Sequence, residues 1–416
     1  MEKVRERKDC RICGSGKFFE YLDLGKLPLA NSYLTAKQIG KPEFSAPLAI
    51  RLCLDCGLSQ LSHVVNPDIM FRHYLYVSST PKTFRDHCDA LAIKALEFIN
   101  AKSNKFALDI ASNDGCLLRS FRALGFKILG VDPAQNLARE ANTNDIPTIC
   151  DYWSTRLAKE VVKDFGRPSV ITATNVFAHV DDLHEFINGI LLCLDDKSVL
   201  ILEFPYILEF IKRNLFDTVY HEHLSYLGLY PISKLMKEYG MEIFQVRLFP
   251  KIHGGTIRLI AAKRKRFKAS KEVASFIDRE KKFGILSKKP YLEFARRVKE
   301  NKDKLNNLLA AAKKDGRSIW AYGASAKGNT LLNYFGITNE IIEKIIDDNP
   351  KKWSLFTPGT CIPICGIDEL KKNRQTVNDI LLLAWNFAEE IQSRCAAVGY
   401  RGDFIYPVSK PKRISP

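Results

Sequence analysis

The sequence predicts an α/β protein with a parallel sheet at its centre, a small cysteine-rich module before it and a second, smaller α/β unit after it. Two pairs of cysteines stand within the first 60 residues, among short strand and turn patterns. From about residue 90 to residue 262, buried-strand candidates alternate with helical spacing, and a further strand–glycine loop–helix pattern begins at residue 318. We therefore expect three parts, over residues 1–72, 73–262 and 263–416.

Length and composition restrict the class of protein. The chain has 416 residues, of which 46% are hydrophobic and 26% charged, values typical of a soluble globular protein. No apolar stretch approaches the roughly 20 residues needed to span a bilayer. The charged start, MEKVRERKDC, runs directly into a cysteine motif and leaves no room for a signal peptide. We expect a cytoplasmic protein with no membrane partner; the sequence favours a monomer without fixing the oligomeric state.

The formal charge of +16 raises the question of a nucleic-acid partner. Residues 263–317 hold 19 Lys or Arg and 7 Asp or Glu, in a stretch with helical spacing. Solvated helix faces have this composition, so we predict no nucleic-acid partner. The remaining excess either attracts an anionic, phosphate-bearing substrate or is incidental.

The two cysteine pairs, Cys10-Arg-Ile-Cys13 and Cys53-Leu-Asp-Cys56, have the spacing of a zinc site. Two residues between cysteines let both thiolates face one ion, and two such turns complete a tetrahedral shell. Sulfur fills all four positions, which predicts one structural zinc per chain. A redox dithiol is the alternative, but it needs only one pair. The other seven cysteines are expected to pack as core thiols: Cys88, Cys116, Cys150, Cys193, Cys361, Cys365 and Cys395.

The central sheet is predicted from five buried-strand candidates, at residues 106–110, 128–131, 169–174, 199–204 and 257–261. Between the first two lies a loop, Asp109-Ile-Ala111-Ser-Asn-Asp-Gly115, that opens a helix, and Asp132 closes the second strand. An acid at that place can accept hydrogen bonds from ribose hydroxyls. The loop has one late glycine, a poor cradle for a pyrophosphate, which argues against NAD; a purely structural strand–turn–helix is the other reading.

Two further stretches carry candidate acid–base groups. His179 follows the strand at 169–174, at the carboxyl end of the sheet where ligands bind, although a lone loop histidine is more often structural. The run Tyr220-His221-Glu222-His223 combines the residue types that abstract a proton beside a ketone. A metal site through His221 and His223, or a structural polar cluster, remains an alternative.

The last motifs are candidates for phosphate contacts. His253-Gly-Gly-Thr-Ile-Arg258 is a glycine turn leading into a strand, and Arg258 either faces a phosphate or is structural. Trp320-Ala-Tyr-Gly-Ala-Ser-Ala-Lys327 combines a strand, a small-residue loop and a helix start, where backbone amides bind anions. Later strands are predicted at residues 344–347 and 379–384.

Taken together, these motifs resemble the nucleotide-sugar C-methyltransferases, which add a methyl branch to TDP-linked keto-deoxysugars at C-3 or C-5. The resemblance covers nearly the whole chain, in order: the cysteine pairs, LDIASNDG, NVFAHV, FDTVYHEHLSY, HGGTIR, AYGASAKGNTLLN and PGTCIPI. The succession of YHEH, HGG and GASAKG is much more specific than any one motif. Ala111, where the family carries glycine, is the one clear departure and puts the local loop geometry in doubt.

The resemblance implies a class I methyltransferase fold, a Rossmann-like C-terminal domain and S-adenosylmethionine as cofactor. Six residues would bind it: Asp109, Ala111, Asn113, Gly115, Asp132 and Asn175. His223 would be the base that removes the proton α to the ketone, in a bent segment where Tyr220 and Glu222 converge on it and His221 only packs. His179 would lie between cofactor and sugar.

The resemblance also implies a sugar site. Tyr76 is the expected sugar contact, with Tyr74 as its rival, and Lys327 would hold the nucleotide-phosphate end. Other functions left open are an O- or N-methyltransferase, an NAD-dependent sugar oxidoreductase and a zinc-containing nucleic-acid-binding protein.

Overall fold

The structure is a computed structural model that describes residues 2–74, 77–80, 82–99, 104–252 and 254–415. It contains two large sheets, one in the middle of the chain and one near its end, and a smaller antiparallel sheet built around the cysteines. Within these ranges, no helix is both long enough and apolar enough to cross a membrane.

The N-terminal part is mainly β-structure. Its elements are β1 (Val4–Glu6), β2 (Phe18–Pro28), β3 (Ser45–Cys53), β4 (Ser59–Leu61), β5 (His63–Val65) and α1 (Pro67–Phe71). The strands β2, β3 and β4 pair in sequence, and β1 pairs with β5. The free edge of β4 is covered by β11 (Ser225–Tyr226), a strand from the middle of the chain. The N-terminal sheet is therefore completed by a strand from the middle of the chain.

The middle of the chain alternates strands and helices. Its helices are α2 (Lys82–Ala95), α3 (Cys116–Ala123), α4 (Gln135–Thr143), α5 (Thr155–Phe165), α6 (Leu183–Cys193), α7 (Ile207–Lys212) and α8 (Leu229–Glu238). Its other strands are β6 (Phe106–Ile110), β7 (Lys127–Val131), β8 (Thr148–Ile149), β9 (Val170–Thr174), β10 (Val199–Pro205), β12 (Met241–Phe249) and β13 (Thr256–Lys263). All five residues of β6 are buried, as expected for a strand with helices on both faces.

The strand order of this sheet is β8-β7-β6-β9-β10-β13-β12. Of its strands as described, β13 runs antiparallel to both neighbours and the others run parallel to one another. This arrangement is that of class I methyltransferases and confirms the predicted fold class. The sequence predicted a parallel sheet throughout and no strand at β12, because alternation of strands and helices does not show that the last two strands form an antiparallel pair.

The C-terminal part begins with two helices, α9 (Lys271–Phe283) and α10 (Lys289–Lys314). A second sheet follows, in the order β16-β15-β14-β17-β18-β19. Its elements are β14 (Ser318–Tyr322), α11 (Ala326–Phe335), β15 (Ile345–Ile346), β16 (Ile364–Cys365), α12 (Ile367–Asn373), β17 (Val377–Leu382), α13 (Ala388–Ala397), β18 (Asp403–Tyr406) and β19 (Lys412–Ile414). All but the last pairing are parallel, which confirms the second α/β unit.

The C-terminal sheet packs on the other parts through α11. The ring of Phe335 stacks on Phe216 at 4.9 Å between centroids. The side chain of Asn329 donates to the carbonyl of Ala30 at 2.7 Å, and the Tyr33 hydroxyl donates to the carbonyl of Ala324 at 2.5 Å. These contacts bring the loop after β14 towards the carboxyl ends of the central strands, where a ligand site is expected.

Candidate active site

A cavity of about 540 Å³ lies between the carboxyl ends of β6, β7 and β9 and the loop that follows β14. The central sheet contributes Asp109, Asp132 and Asn175 to its lining, and the C-terminal sheet contributes Gly323 and Lys327. This volume is ordinary for a small-molecule site. The cavity can therefore hold a ligand that contacts both sheets.

The loop after β6 owes its shape to three residues in left-handed backbone conformation: Ala111 (φ 60°), Asn113 (φ 54°) and Gly115 (φ 77°). A Cβ atom on Gly115 would lie 2.7 Å from Cγ2 of Ile146, so this position needs glycine for space as well as for its backbone. Ala111 takes the conformation that glycine adopts readily. The loop therefore has a left-handed backbone here even though the residue is alanine.

Asp132 anchors this loop from the end of β7. Its buried carboxylate accepts the backbone N–H groups of Asn113 at 2.8 Å and Ala134 at 2.9 Å, and burial raises its pKa above the ordinary value. Each carboxylate oxygen has a second lone pair, so the group can still accept two ribose hydroxyls. The side-chain oxygen of Asn113 also accepts the N–H of Ser78 at 2.9 Å, which draws residues 77–80 onto the loop.

Two more groups in the cavity suit S-adenosylmethionine. Burial raises the pKa of Asp109 to about 7, and the hydroxyl of Thr172 donates to its carboxyl at 2.6 Å. Asn175 has φ 56°, and its buried Oδ1 has no hydrogen-bond partner among the described residues. An unsatisfied acceptor and a buried carboxyl favour a ligand that carries hydrogen-bond donors and a positive charge.

His223 has a defined tautomer. Its Nδ1 lies 2.8 Å from the carbonyl oxygen of Thr218, and a carbonyl only accepts, so Nδ1 carries the proton. Its Nε2 is then the acceptor, and the hydroxyl of Tyr220 donates to it at 2.7 Å. His223, Tyr220 and Thr218 all line the cavity. A basic nitrogen and a phenol thus meet beside the predicted cofactor loop.

His179 lies next to this pair. Its ring centroid is 4.9 Å from that of His223 and 5.9 Å from that of Phe71, on which it stacks. Burial lowers the pKa of His179 to about 4. The ring of His179 is therefore neutral at physiological pH. It does not place a second positive charge beside His223 when His223 takes up a proton.

The segment with Tyr220 is bent, since the N–H of His223 donates to the carbonyl of Tyr220 at 2.9 Å. Glu222 does not converge on His223 as expected: its buried carboxylate accepts the side-chain amide of Asn31 and the hydroxyl of Tyr74, both at 2.6 Å. His221 lies outside the cavity lining and donates through Nε2 to the carbonyl of Ala46 at 3.0 Å. Glu222 thus holds two other cavity-lining residues, and His221 packs on the N-terminal sheet.

Sequence reasoning missed Asn31 and Thr218, which the structure places at the cavity. Asn31 stands in none of the motifs described above, and Thr218, although it lies within FDTVYHEHLSY, was given no role. Asn31 lies nearly 200 residues from its partner Glu222 in the chain, so no local pattern links the two. Thr218 acts through its backbone carbonyl, which a pattern of side-chain types does not indicate. Tyr74, considered only as a rival to Tyr76, has a clear contact; Tyr76 itself lies outside the described residues.

The four motif cysteines form one cluster. Their sulfur atoms all lie within 4.8 Å of one another, with Cys10 and Cys56 3.4 Å apart and Cys13 and Cys53 3.5 Å apart. Zinc–sulfur bonds of roughly 2.3 Å in a tetrahedron place neighbouring sulfurs at about 3.8 Å, so the cluster fits the ion. With sulfur at every position, the site leaves no open coordination for catalysis.

Comparison with known proteins gives the family. The chain is 32% identical over 414 residues to C-methyltransferase NovU of Streptomyces niveus, an alignment that covers 99% of this chain and 98% of that protein. The chain belongs to the C-methyltransferase family. Family models agree: residues 251–409 match a C-methyltransferase C-terminal domain, residues 84–246 a methyltransferase domain and residues 10–71 a zinc-binding domain.

Solved structures show only a distant likeness. Magnesium protoporphyrin IX methyltransferase from Synechocystis PCC 6803 is 13% identical, covering 43% of this chain and 79% of that one, with a TM-score of 0.33. A SAM-dependent methyltransferase from Archaeoglobus fulgidus is also 13% identical, covering 43% of this chain and 94% of that one, with a TM-score of 0.36. These likenesses are too low to bear on activity.

As a member of this family, the protein is an S-adenosylmethionine-dependent methyltransferase with a zinc-binding N-terminal module. Of the six predicted cofactor residues, Asp109 lies near the end of β6, and the other five lie in the loop segments after β6, β7 and β9. Five of the six residues line the cavity. The sixth, Gly115, lies outside the lining and faces the Ile146 side chain. The acceptor groups and the shape of this wall are thus suited to the cofactor.

Of the two residues considered for phosphate contacts, Lys327 and Arg258, only Lys327 lies at the cavity. Lys327 lines the cavity at the start of α11, where its ammonium lies 5.1 Å from the Trp385 ring. Arg258 lies outside the cavity lining: it is buried in β13, forms an ion pair with Glu203, and has its Nη2 3.1 Å from Nε2 of His87. Arg258 lies directly opposite Glu203 in the pairing of β13 with β10. Because its guanidinium is paired with that carboxylate, Arg258 is not available to bind a phosphate in this position.

Proposed function

We propose that this C-methyltransferase methylates the carbon next to the ketone of a nucleotide-linked keto-deoxysugar. The observation that carries the proposal is the geometry of His223, whose Nδ1–H is held by the Thr218 carbonyl while Nε2 faces Tyr220 in the cavity. A ketone acidifies the hydrogen on the adjacent carbon, and carbon methylation requires its removal. A fixed imidazole beside a phenol provides a base for this step and a hydrogen-bond donor for the enolate oxygen that forms.

In this proposal, Nε2 of His223 removes the proton from the carbon. The Thr218 carbonyl then stabilises the imidazolium through the Nδ1–H hydrogen bond, and the Tyr220 hydroxyl turns to the enolate oxygen. His179 is a poorer base, because burial lowers its pKa to about 4, well below neutral pH. Bound in the loop after β6, S-adenosylmethionine supplies the electrophilic methyl group.

The nucleotide end of the substrate is assigned to the C-terminal wall of the cavity. Backbone amides at the start of α11 favour an anion, and Lys327 adds a positive charge there. Burial lowers the pKa of Lys327, so a phosphate beside it would favour the ammonium form. We further propose that the protein acts in the cytoplasm, since none of its eleven cysteines forms a disulfide in the structure.

The substrate is tested by mass spectrometry of methyl transfer to TDP-, GDP- and UDP-linked 4-keto-6-deoxysugars. We expect a mass increase of one methyl group on at least one of them, with the new methyl on carbon. Transfer to a hydroxyl or amine group only, or to none of the sugars, would contradict the proposal.

The base is tested with His223→Asn and, as its matched control, His221→Asn. General-base removal typically lowers rates by about 10² to 10⁴, so His223→Asn should lose that much turnover and keep its cofactor affinity. His221→Asn should lose far less, because that side chain packs on the N-terminal sheet. Exchange of the sugar α-hydrogen with deuterated solvent isolates the proton transfer; normal exchange in His223→Asn with none in His179→Asn would assign the base to His179.

A further inference from the structure

The zinc-binding turn at Cys10–Cys13, here called the knuckle, makes a long-range contact near the active site. Arg11 stands between two of the cysteines and is only 1% exposed. Its Nε donates to the carboxylate of Asp181 at 3.1 Å, and its Nη1 donates to the carbonyl of Leu61 at 3.2 Å. Asp181 follows His179 by two residues and lines the same cavity.

A second contact joins the knuckle to the same segment. The carbonyl of Ile12 accepts a hydrogen bond from Nε2 of His184 at 3.0 Å, and the hydroxyl of Tyr239 donates to Nδ1 of that ring at 2.6 Å. His184 lies in the first turn of α6, immediately after the segment that carries His179 and Asp181. The knuckle therefore holds residues 179–184 at two points.

Charge makes the first contact specific. Asp181 also pairs with Arg5 and with Arg7, whose Nη1 lies 3.4 Å from its carboxylate. For the buried Arg11, however, Asp181 is the acidic partner in the described part of the chain. Because an unpaired buried guanidinium is very costly, the two side chains are strongly held together.

His179 depends on this segment for its position. None of the described residues forms a hydrogen bond with its ring, which instead stacks on Phe71 and packs against His223. The backbone at residues 179–181 therefore decides how the ring meets His223. A shift of the order of 1 Å at such a place can lower a rate about a hundredfold.

We propose that the zinc knuckle is a positioning element of the active site, holding His179 against His223 through the contact between Arg11 and Asp181. The knuckle then has a role beyond the stability of the N-terminal module. The rate effect rests on the proposed function, whereas the position of His179 can be measured without any substrate.

The test uses the zinc-loaded full-length chain with Asp181→Asn, which keeps the shape of the side chain and removes its charge. The matched control is Arg51→Lys, since Arg51 is a buried arginine of the same module that pairs with Glu6 at 3.7 Å. Zinc content and S-adenosylmethionine affinity are measured first, and both should match the wild type. Nuclear magnetic resonance of ¹⁵N-labelled histidine, assigned with His179→Asn, then follows the titration of His179.

In Asp181→Asn we expect the signal of His179 to move and its pKa to rise from about 4 towards 6.5, because a loosened ring gains contact with water. The Arg51→Lys control should leave that signal in place. With an active substrate in hand, kcat should fall about tenfold to hundredfold with little change in cofactor affinity. A lower melting temperature with an unmoved His179 signal would show a purely structural ion pair and overturn the proposal.

Arg11→Lys is the substitute variant if Asp181→Asn does not fold. Lysine keeps the buried positive charge, but it cannot contact both Asp181 and the Leu61 carbonyl as the guanidinium does. The same movement of His179 is expected, and its absence would equally overturn the proposal. If no keto sugar is turned over by any variant, the proposed function fails while the titration of His179 still decides the positioning role.

Discussion

The chemistry of His223 depends on which ring nitrogen carries the proton. The Thr218 carbonyl fixes it on Nδ1, so the lone pair is on Nε2, where it accepts the hydroxyl of Tyr220. His221, two residues earlier, has the opposite tautomer, because its Nε2 donates to the Ala46 carbonyl. Two histidines in one motif are thus distinguished by backbone carbonyls, and their identities in the sequence do not reveal the difference.

Asp109 leads to a prediction about pH. Its pKa is about 7 in the folded protein, chiefly because of burial, and 3.8 ordinarily. The folded state therefore binds the proton more tightly, and the stabilisation is complete below pH 3.8 and lost as pH rises through 7. This loss amounts to about 4 kcal/mol. Asp109→Asn has no such titration.

The measurement compares the melting temperatures of the cofactor-free wild type and Asp109→Asn from pH 4 to pH 8. The wild type should lose stability relative to the variant up to about pH 7, after which the difference should stay constant. A control variant, Asp164→Asn, changes an exposed carboxyl at the end of α5. Parallel curves for Asp109→Asn and the wild type would contradict the burial argument.

The loop between β6 and α3 illustrates how far an element can be predicted. The strand at 106–110 and the helix after Gly115 follow from hydrophobic patterning, and both are confirmed. Asp132 was expected to face the cofactor. The hydrogen bond that it accepts from the Asn113 N–H was not predicted, because it depends on how closely β7 approaches the loop. The left-handed backbone of Ala111 was likewise beyond prediction, since alanine rarely adopts it.

This loop gives a matched pair of opposite substitutions. Gly115→Ala adds a methyl group at φ 77° and 2.7 Å from the Ile146 side chain, so it should destabilise the protein by about 1–3 kcal/mol. Ala111→Gly removes a methyl group at φ 60°, and the strain released should offset the usual cost of about 1 kcal/mol for glycine. Thermal unfolding checks both, and a marked loss of stability in Ala111→Gly would show that alanine is unstrained there.

At the scale of the whole molecule, patterns local in sequence predicted the three parts and the two sheets. Contacts between the parts were not predictable. Arg11 meets Asp181 across 170 residues, and Glu222 meets Asn31 across 191. The structure does not support the phosphate contact considered for Arg258. Its actual partner, Glu203, lies on a neighbouring strand and far away in sequence, so the sequence did not reveal the pair. Such pairs depend on the packing of elements, which hydrophobic periodicity does not encode.

The zinc site lies within the N-terminal part of the chain, where four cysteines form one cluster. We predict one zinc per chain, and Cys53→Ser should lower both the zinc content and the melting temperature, because the module is organised around four thiolates. Cys395→Ser is the matched control: it alters a buried thiol in α13, away from the cluster, and should keep the full metal content. Freshly purified protein without zinc would contradict this prediction.

The strand β11 has a consequence for synthesis on the ribosome. It covers the edge of β4, yet it emerges about 160 residues after its partner, at Ser225–Tyr226. At a translation rate of about 5–20 residues per second, the nascent N-terminal sheet waits on the order of ten to thirty seconds with an open edge. Open strand edges pair with other chains, so this interval is when neighbouring nascent chains are most exposed to mispairing. Slower translation between residues 61 and 225 should therefore lower the yield of native enzyme.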